Sequence, residues 1–500
     1  MATSTRRRWL RPPQLRTLDT DQDERHATWL ELFFDLVFVI SIAEVVHTLE
    51  DYRTLADFAG TAGMFVAVWW AWVGYTVYAD RFDTDDLLHR VLVLAGMLAV
   101  VAMALSVHDA LHGGSARFAL AFVAVRGVVL LLNARARRHA AEARPLLNLY
   151  LTAFSIGASL WLVSVLVPEP ARYLLWGVAL VIELSAPWVG RHQIARAPIH
   201  ASHLVERFGL FTLIVLGESV ISVAQGVAKG TAQGDWTAAM ATAAVAGFLV
   251  VASLWWLYFD RLDDGTIRSV LRGLIWNYAH LPLLAGLVSV ALGIEYAVRE
   301  AATGQLERTT ALALGAGTAL CLLATVVTGR ALRPGGDRRQ WWWLGAVAAT
   351  LAVGLVWPLG LPVGLLVVLD LVLAGLVAVE AVGRLETEPE DHAGTGPATR
   401  AGLTEGGPEL GLPECSTWNI VGRGRRRPGP ALPTTPEAAM RYRVTWNVEV
   451  DADDEGQART AARQYLLENE DEALSKVVAL DEGSSPPDVP KVDAGGSPAI

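Results

Sequence analysis

The chain has 500 residues, of which 53% are apolar and only 18% charged, with a mean hydropathy of +0.36. Soluble domains carry about a quarter charged residues, so the composition points to a polytopic membrane protein and away from a soluble enzyme or a nucleic-acid binder. The net charge of −10 belongs to the tail: residues 385–500 hold 21 Asp/Glu against 11 Lys/Arg, which leaves residues 1–384 balanced.

The N-terminal stretch 1–28 is basic, with Arg6, Arg7 and Arg8, but Pro12 and Pro13 follow where a cleaved signal peptide would have an apolar run. A bilayer core of about 30 Å takes roughly 20 apolar residues of helix. On that measure about twelve spans are expected: 29–48, 57–78, 87–107, 116–134, 146–167, 171–189, 204–226, 237–259, 273–296, 309–329, 341–357 and 360–383. The first span holds Glu31, Asp35, Glu44 and His47. Glu31 and Asp35 are four residues apart and share a helix face, whereas Glu44 lies on the side opposite Asp35. Arg126 lies in the fourth span and Glu183 in the sixth. The seventh opens with Glu206 and Arg207 and carries a polar stripe of Glu218, Ser222 and Gln225; His280 and Glu295 fall in the ninth.

A charge inside a span costs about 2.5–3.5 kcal/mol on insertion scales, so it faces the bundle interior and usually has a partner. Asp35, Glu44 and Glu218 are therefore expected to face inward, with Arg126 or a histidine such as His280 compensating at least one of them. Structural roles compete for several of these residues. Glu31, Glu206 and Arg207 sit where they also complement helix dipoles, and His47 and His280 also suit hydrogen-bonded packing.

Two stretches about 180 residues apart nearly repeat each other. Trp69-Trp70 leads through Trp72, Tyr75 and Tyr78 to Asp80-Arg81-Phe82-Asp83, and Trp255-Trp256 leads through Tyr258 to Asp260-Arg261-Leu262-Asp263. Repetition on this scale predicts an all-α protein of two six-helix repeats, 29–190 and 204–383. Six spans per half is an even number, so both halves enter from the same side and the repeats are parallel. Arg81 and Arg261 also read as anchors at the membrane face.

After Arg384 the character changes. Residues 385–437 read as a disordered linker rich in Gly, Pro, Glu and Thr. Residues 438–482 read as a small cytoplasmic α+β unit: a strand at 441–450, a helix at 455–467 and a strand at 476–480. Residues 483–500 read as a disordered tail. The unit is a place for a cytoplasmic partner to dock. Cys321 and Cys415 form no disulfide framework. No His/Cys run has metal-ligand spacing and no phosphate-binding Gly loop occurs, so the expectation is a non-enzyme without cofactor or metal.

The segment Trp29-Leu-Glu31-Leu-Phe33-Phe34-Asp35-Leu-Val-Phe-Val resembles the opening signature of the bacterial low temperature requirement protein A (LtrA) family. Two further segments carry the same resemblance: Glu206-Arg-Phe-Gly-Leu-Phe-Thr-Leu-Ile-Val-Leu-Gly217-Glu218-Ser219 and Tyr278-Ala-His280-Leu-Pro282. It covers about residues 25–385 and marks Glu31, Phe34, Asp35, Arg126, Glu206, Gly217, Glu218 and His280. It implies an integral membrane protein linked by name to growth in the cold, with no substrate attached. A looser likeness joins Phe34-Asp35 to the Phe-Ser-Asp opening of potassium channels with duplicated six-helix units. Within Phe33-Phe34-Asp35 the likeness departs at Phe34, which stands where those channels have Ser, and again at Gly209-Leu210.

The reading is a bacterial inner-membrane protein that moves a small solute or ion by means of intramembrane carboxylates. A passive cation channel and a non-transporting sensor or scaffold for cold growth remain as alternatives. Basic clusters fix the orientation, because Lys and Arg are retained in the cytoplasm. Arg135, Arg137, Arg138 and Arg144 share one side with Arg330, Arg333, Arg338 and Arg339. The opposite loops hold only Arg53, Arg117, Arg172, Lys229, Arg299 and Arg308. Reporter fusions after Asn133 and after Arg384 are both expected to report a cytoplasmic location. An external signal from either would undo the parallel repeat along with the orientation.

Overall fold

The computed structural model describes residues 11–15, 28–49, 55–111, 113–196, 201–232, 236–262, 267, 269–333, 339–357 and 361–385, together with four short extended segments further on. The chain divides into two compact units, Met1–Asp391 and His392–Ile500.

The first unit is helical. Its long helices are α1 (Trp29–Leu49), α2 (Leu55–Arg81), α3 (Leu87–Val107), α4 (Ser115–His139), α5 (Arg144–Ser164) and α6 (Ala171–Val189). After a one-turn helix at Arg191–Ile194 come α7 (Ala201–Thr231), α8 (Ala238–Leu262), α9 (Val270–Glu300), α10 (Arg308–Leu332), α11 (Gln340–Val356) and α12 (Pro362–Leu385). Ten of these, α2 to α10 and α12, are long and apolar enough to cross a membrane, and α11 is a shorter apolar helix.

Burial is arranged for a lipid solvent. Large apolar side chains point outward, among them Leu98 at 72% exposure, Leu105 at 78% and Leu166 at 86%, whereas Asp35, Asp80, Arg126, Glu183 and Arg207 are buried. That is the arrangement expected where lipid, not water, meets the outer face. Helices approach closely through small residues. A Cβ on Gly286 of α9 would come within 2.8 Å of the Gly317 carbonyl of α10, and one on Gly315 would come within 2.5 Å of Gly354 of α11. Such close backbone approach supplies the dispersion contacts that hold helices together where water expulsion cannot.

Helix starts are built from sequence-local caps. Thr28 and Glu31 form a reciprocal box at α1: the Thr28 N–H donates to Glu31 Oε2 at 2.8 Å, and the Glu31 N–H donates to Thr28 Oγ1 at 3.3 Å. Asp86 caps α3 by accepting from the His89 N–H at 2.9 Å, and Ser269 caps α9. Asp86 also fastens the N-terminal segment. It accepts from the Arg11 N–H at 2.9 Å and from Arg135 Nη2 at 2.5 Å, while Gln14–Leu15 pairs antiparallel with Phe82–Asp83.

The second unit contains Trp418–Ile420 antiparallel to Val444–Trp446, and Glu449–Asp451 parallel to Lys491–Asp493. Both segments between 444 and 451 fall where a strand is read at 441–450. Their partners fall in stretches whose composition reads as linker and tail. The helix read at 455–467 and the strand at 476–480 lie outside the described residues.

Burial pushes the Asp86 carboxyl up, but hydrogen bonds from Arg135 and from the His89 and Arg11 N–H groups outweigh it and hold the group below its usual range. A depressed carboxylate stabilises the fold above its unfolded pKa, and that contribution is lost as pH falls through the folded value. Asp86→Ala is therefore expected to cost about 1–2 kcal/mol at neutral pH, the usual price of losing a cap. The gap from wild type should begin to narrow below about pH 4 and close only as pH falls through the lower folded value. Thermal melts of the two proteins in detergent across pH check this; a gap that persists in acid contradicts it.

Candidate functional site

Of the three carboxylates expected to face inward, Asp35 is buried, with a partner other than those expected, and Glu44 and Glu218 are half-buried. Asp35 of α1 is fully buried and pairs with Arg207 Nη2 of α7 at 2.5 Å. The Trp72 indole N–H of α2 donates to the same carboxylate oxygen at 2.7 Å. One turn earlier, Glu31 lies 3.8 Å from both Arg207 and His203, and His203 Nδ1 meets Asp80 Oδ1 of α2 at 2.7 Å. Aromatic rings close this group off. Trp72 stacks on Phe211 with centroids 4.0 Å apart, and Phe34 lies 3.8 Å from the Tyr75 ring.

The pairing has a simple local cause. Glu31 and Asp35 are spaced i, i+4 on α1, and His203 and Arg207 are spaced i, i+4 on α7, so each pair forms a stripe one turn long. Because α7 begins at Ala201, two helical turns carry His203 and Arg207 into the bundle; the sequence reading begins the span at 204 and leaves Arg207 at its opening. Residues of α1 meet residues of α7 at a constant offset, 31 with 203 and 35 with 207, so the two helices run in the same direction.

The far end of the same seam carries the remaining acidic residues. Glu44, His47 and Glu218 are half-buried, and Glu218 lies within electrostatic reach of His47, Glu295 and Glu44. Glu295 of α9 binds Lys229 Nζ at 2.6 Å. Ser222 is buried on α7, one turn beyond Glu218.

Neither Arg126 nor His280 pairs with Asp35; of the three carboxylates expected to be compensated, Glu218 has a histidine, His47, within electrostatic reach. Arg126 is consumed by Glu183 of α6 at 2.6 Å and sits over the rings of Phe122 and Phe154. His280 belongs to a neutral pair. Its Nδ1 donates to the Trp276 carbonyl at 2.8 Å, which leaves Nε2 to accept from the Tyr258 hydroxyl at 2.9 Å. Helical periodicity gives the face a residue occupies but not the neighbour it meets, so these partners were not readable from spacing.

The two Asp-Arg motifs diverge. Asp80 is buried against His203, and Arg81 lies over the Tyr150 ring of α5 at 5.9 Å. Asp83 pairs by its backbone with Gln14; its side chain lies outside the described residues. In the second motif Arg261 binds Glu380 of α12 at 2.9 Å and stacks over Trp343 at 4.1 Å. The Trp343 indole donates to the same Glu380 oxygen at 2.6 Å. Asp260 and Glu206 are half-buried, and Asp263 lies outside the described residues. Among the described residues no group of three or more His, Cys, Asp or Glu is placed to hold a metal ion.

A cavity of about 370 Å³ lies beside the seam. Trp70, Gly74, Tyr78 and Arg81 of α2 line one side with Tyr150 and Phe154 of α5, and the start of α9 from Ser269 to Asn277 lines another. From Arg81 at the end of α2 to Trp70 is eleven residues, about 16 Å of helix. Gly74 brings the cavity wall against the buried ion pair: a Cβ there would lie 2.7 Å from Arg126 Nη1. No sequence signal marked this space, because its walls come from α2, α4, α5, α6, α7 and α9.

The family model for the bacterial low temperature requirement A protein (LtrA) matches residues 26–378. The chain belongs to this family. The match ends within α12, so the second unit lies outside it. The chain is also similar to an uncharacterized protein of Rhizobium meliloti (strain 1021), 29% identical over 300 residues, which are 57% of this chain and 72% of that one.

Removing one partner of a buried ion pair strands the other charge, at a cost of about 3–5 kcal/mol. Asp35→Asn and Arg207→Gln are each expected to lower the melting temperature and abundance of this LtrA protein, and the double variant should recover much of the loss. A double-mutant cycle on purified protein checks the coupling. Additive losses would mean that the two residues do not support one another.

Proposed function

We propose that this LtrA protein is a transporter of a small solute in the bacterial cytoplasmic membrane, with both termini in the cytoplasm. The cavity between α2, α5 and α9 is its solute chamber. One observation carries the reading: the space reaches about 16 Å from the Arg81 end of α2, roughly half of a bilayer core, and stops at Trp70 and Phe154. A chamber that ends near the midplane is what alternating access requires.

All twelve long helices count as spans in this proposal, arranged as two parallel six-helix repeats. The same neighbours recur in each half, which supports the repeat. The first helix packs on the third, the third on the fourth, the fourth on the fifth and the fifth on the sixth, in α1 to α6 and again in α7 to α12. The common direction of α1 and α7 supports a parallel relation. The α1–α7 seam is then the hinge line between halves, held at one end by Asp35 and Arg207.

The role of the carboxylates shifts accordingly. Asp35 and Glu183 are tied to arginines, which favours locking and positioning over carrying a cation. Glu295 is likewise tied to Lys229, so Glu44 and Glu218 at the far end of the seam remain the groups suited to sensing protons or cations. A passive cation channel needs polar groups along a continuous water path, and the sequestered pairs weigh against it. A scaffold has no use for the chamber.

Purified full-length protein in proteoliposomes, tested against a panel of solutes with and without a pH gradient, should show saturable uptake. Val77→Trp, which adds bulk to the chamber wall, should abolish uptake while leaving the melting temperature nearly unchanged. Currents of channel size in planar bilayers, or uptake untouched by Val77→Trp, would contradict the proposal.

A further inference from the structure

The polar groups of the chamber wall narrow what it can hold, taking the proposed solute chamber as the starting point. Arg81, the only charged residue among the described lining, is buried and already engaged with Tyr150 of the same wall. Two carboxamides are left. Asn277 lies eight residues beyond Ser269 on α9, about 12 Å along the helix and so well inside the chamber. It stands level with Trp70, whose ring lies 5.9 Å from the ring of Tyr278, the next residue. Asn277 is only 7% exposed, and its side-chain oxygen has no hydrogen-bond partner among the described residues. Asn133 of α4 is buried too. Its Nδ2 donates to the Val129 carbonyl one turn back at 2.8 Å, so its oxygen is the side left to accept. A buried carboxamide oxygen is rarely left unpaired, and what it lacks is a donor. Around these two groups the wall is apolar and rich in rings: Trp70, Tyr78, Tyr150 and Phe154 line it with Val73 and Leu274.

We infer that the chamber binds an uncharged aromatic molecule that carries an N–H or O–H donor, with the donor on the Asn277 oxygen and the ring against Trp70 and Phe154. The unpaired acceptor sets the need for a donor. The four lining rings favour a flat aromatic body, which can meet them in offset-stacked and edge-to-face contacts. Charge is disfavoured at the depth of Asn277, where an ion would give up its hydration for an apolar wall and one carboxamide. The cavity volume falls within the range of about 300–1,000 Å³ typical of pockets for small organic ligands. A site built to receive a donor also rejects the same shape without one, because its acceptor is then left unpaired.

The test is equilibrium binding to the full-length protein in nanodiscs of neutral phosphatidylcholine, with empty nanodiscs as the blank for partition into lipid. The probes are indole, benzofuran, tryptamine and indole-3-acetate. Indole and benzofuran share their size and shape and differ by an N–H donor against a ring oxygen. Indole should bind about tenfold more tightly than benzofuran. Tryptamine and indole-3-acetate, which add a positive and a negative charge, should each bind more weakly than indole. Asn277→Leu removes the acceptor at similar volume and should bring indole down to the level of benzofuran. Benzofuran binding should stay within about twofold in that variant, which shows the chamber intact. Val77→Phe keeps Asn277 and narrows the chamber, so it should weaken indole and benzofuran alike. The comparison of the two probes on wild-type protein decides the matter even where the asparagine variant fails to fold.

Equal binding of indole and benzofuran, tighter binding of either charged probe, a preference for indole that survives Asn277→Leu, or binding untouched by Val77→Phe would each overturn the inference. Indole binding as expected with no flux of any solute would sink the transporter reading and leave the site standing. Saturable flux, lost in Val77→Trp, of a solute that indole neither displaces nor inhibits would do the reverse.

Discussion

The arrangement depends on one buried contact, Asp35 of α1 against Arg207 of α7. Two full charges in a membrane interior are tolerated only together, because either alone would draw its helix toward water or lipid headgroups. The partners are 172 residues apart, so the contact joins the beginning of the chain to its middle. It sets which helix lies beside α1 and in what register. Trp72 then ties α2 to the same carboxylate, and His203 ties it again through Asp80. Three helices are thereby fixed at one end, and the chamber wall formed by α2 takes its position from them.

The other buried pairs follow the same logic at smaller scale. Arg126 and Glu183 join α4 to α6 and press against the chamber through Gly74. Arg261 and Glu380 join α8 to α12, with Trp343 of α11 as the third member. Each pair crosses between helices distant in sequence and is wrapped by aromatic rings. The charges that look costly in the sequence thus serve to specify neighbours where hydrophobicity alone cannot, since lipid satisfies an apolar surface as well as another helix does.

Much of the fold was legible in the sequence because a span must be long and apolar, and that constraint leaves a plain trace. The helices at Leu87–Val107 and Ala171–Val189 begin and end where hydropathy puts them. The inward face of Asp35 was legible too, from cost alone. Its partner was not. Arg207 looked like an opening residue because the helix start was read late, and Arg126 looked available because nothing local reveals Glu183 across the α4–α6 contact. The i, i+4 spacing of His203 and Arg207 matches that of Glu31 and Asp35, and reading the two stripes together would have suggested the seam. The chamber left no trace, since a cavity is defined by residues that fail to meet.

Accessibility of the chamber tests the account most directly. A single cysteine at Val77, in protein whose Cys321 and Cys415 have been replaced by alanine and serine, can be challenged with a membrane-impermeant thiol reagent from each face of oriented vesicles. The account predicts labelling from the face on which α2 ends at Arg81, proposed to be the cytoplasmic one, and none from the other face in the same conformation. Labelling from both faces at equal rates would describe a continuous pore, and protection from both would describe a dry bundle; either result contradicts a chamber open at one end.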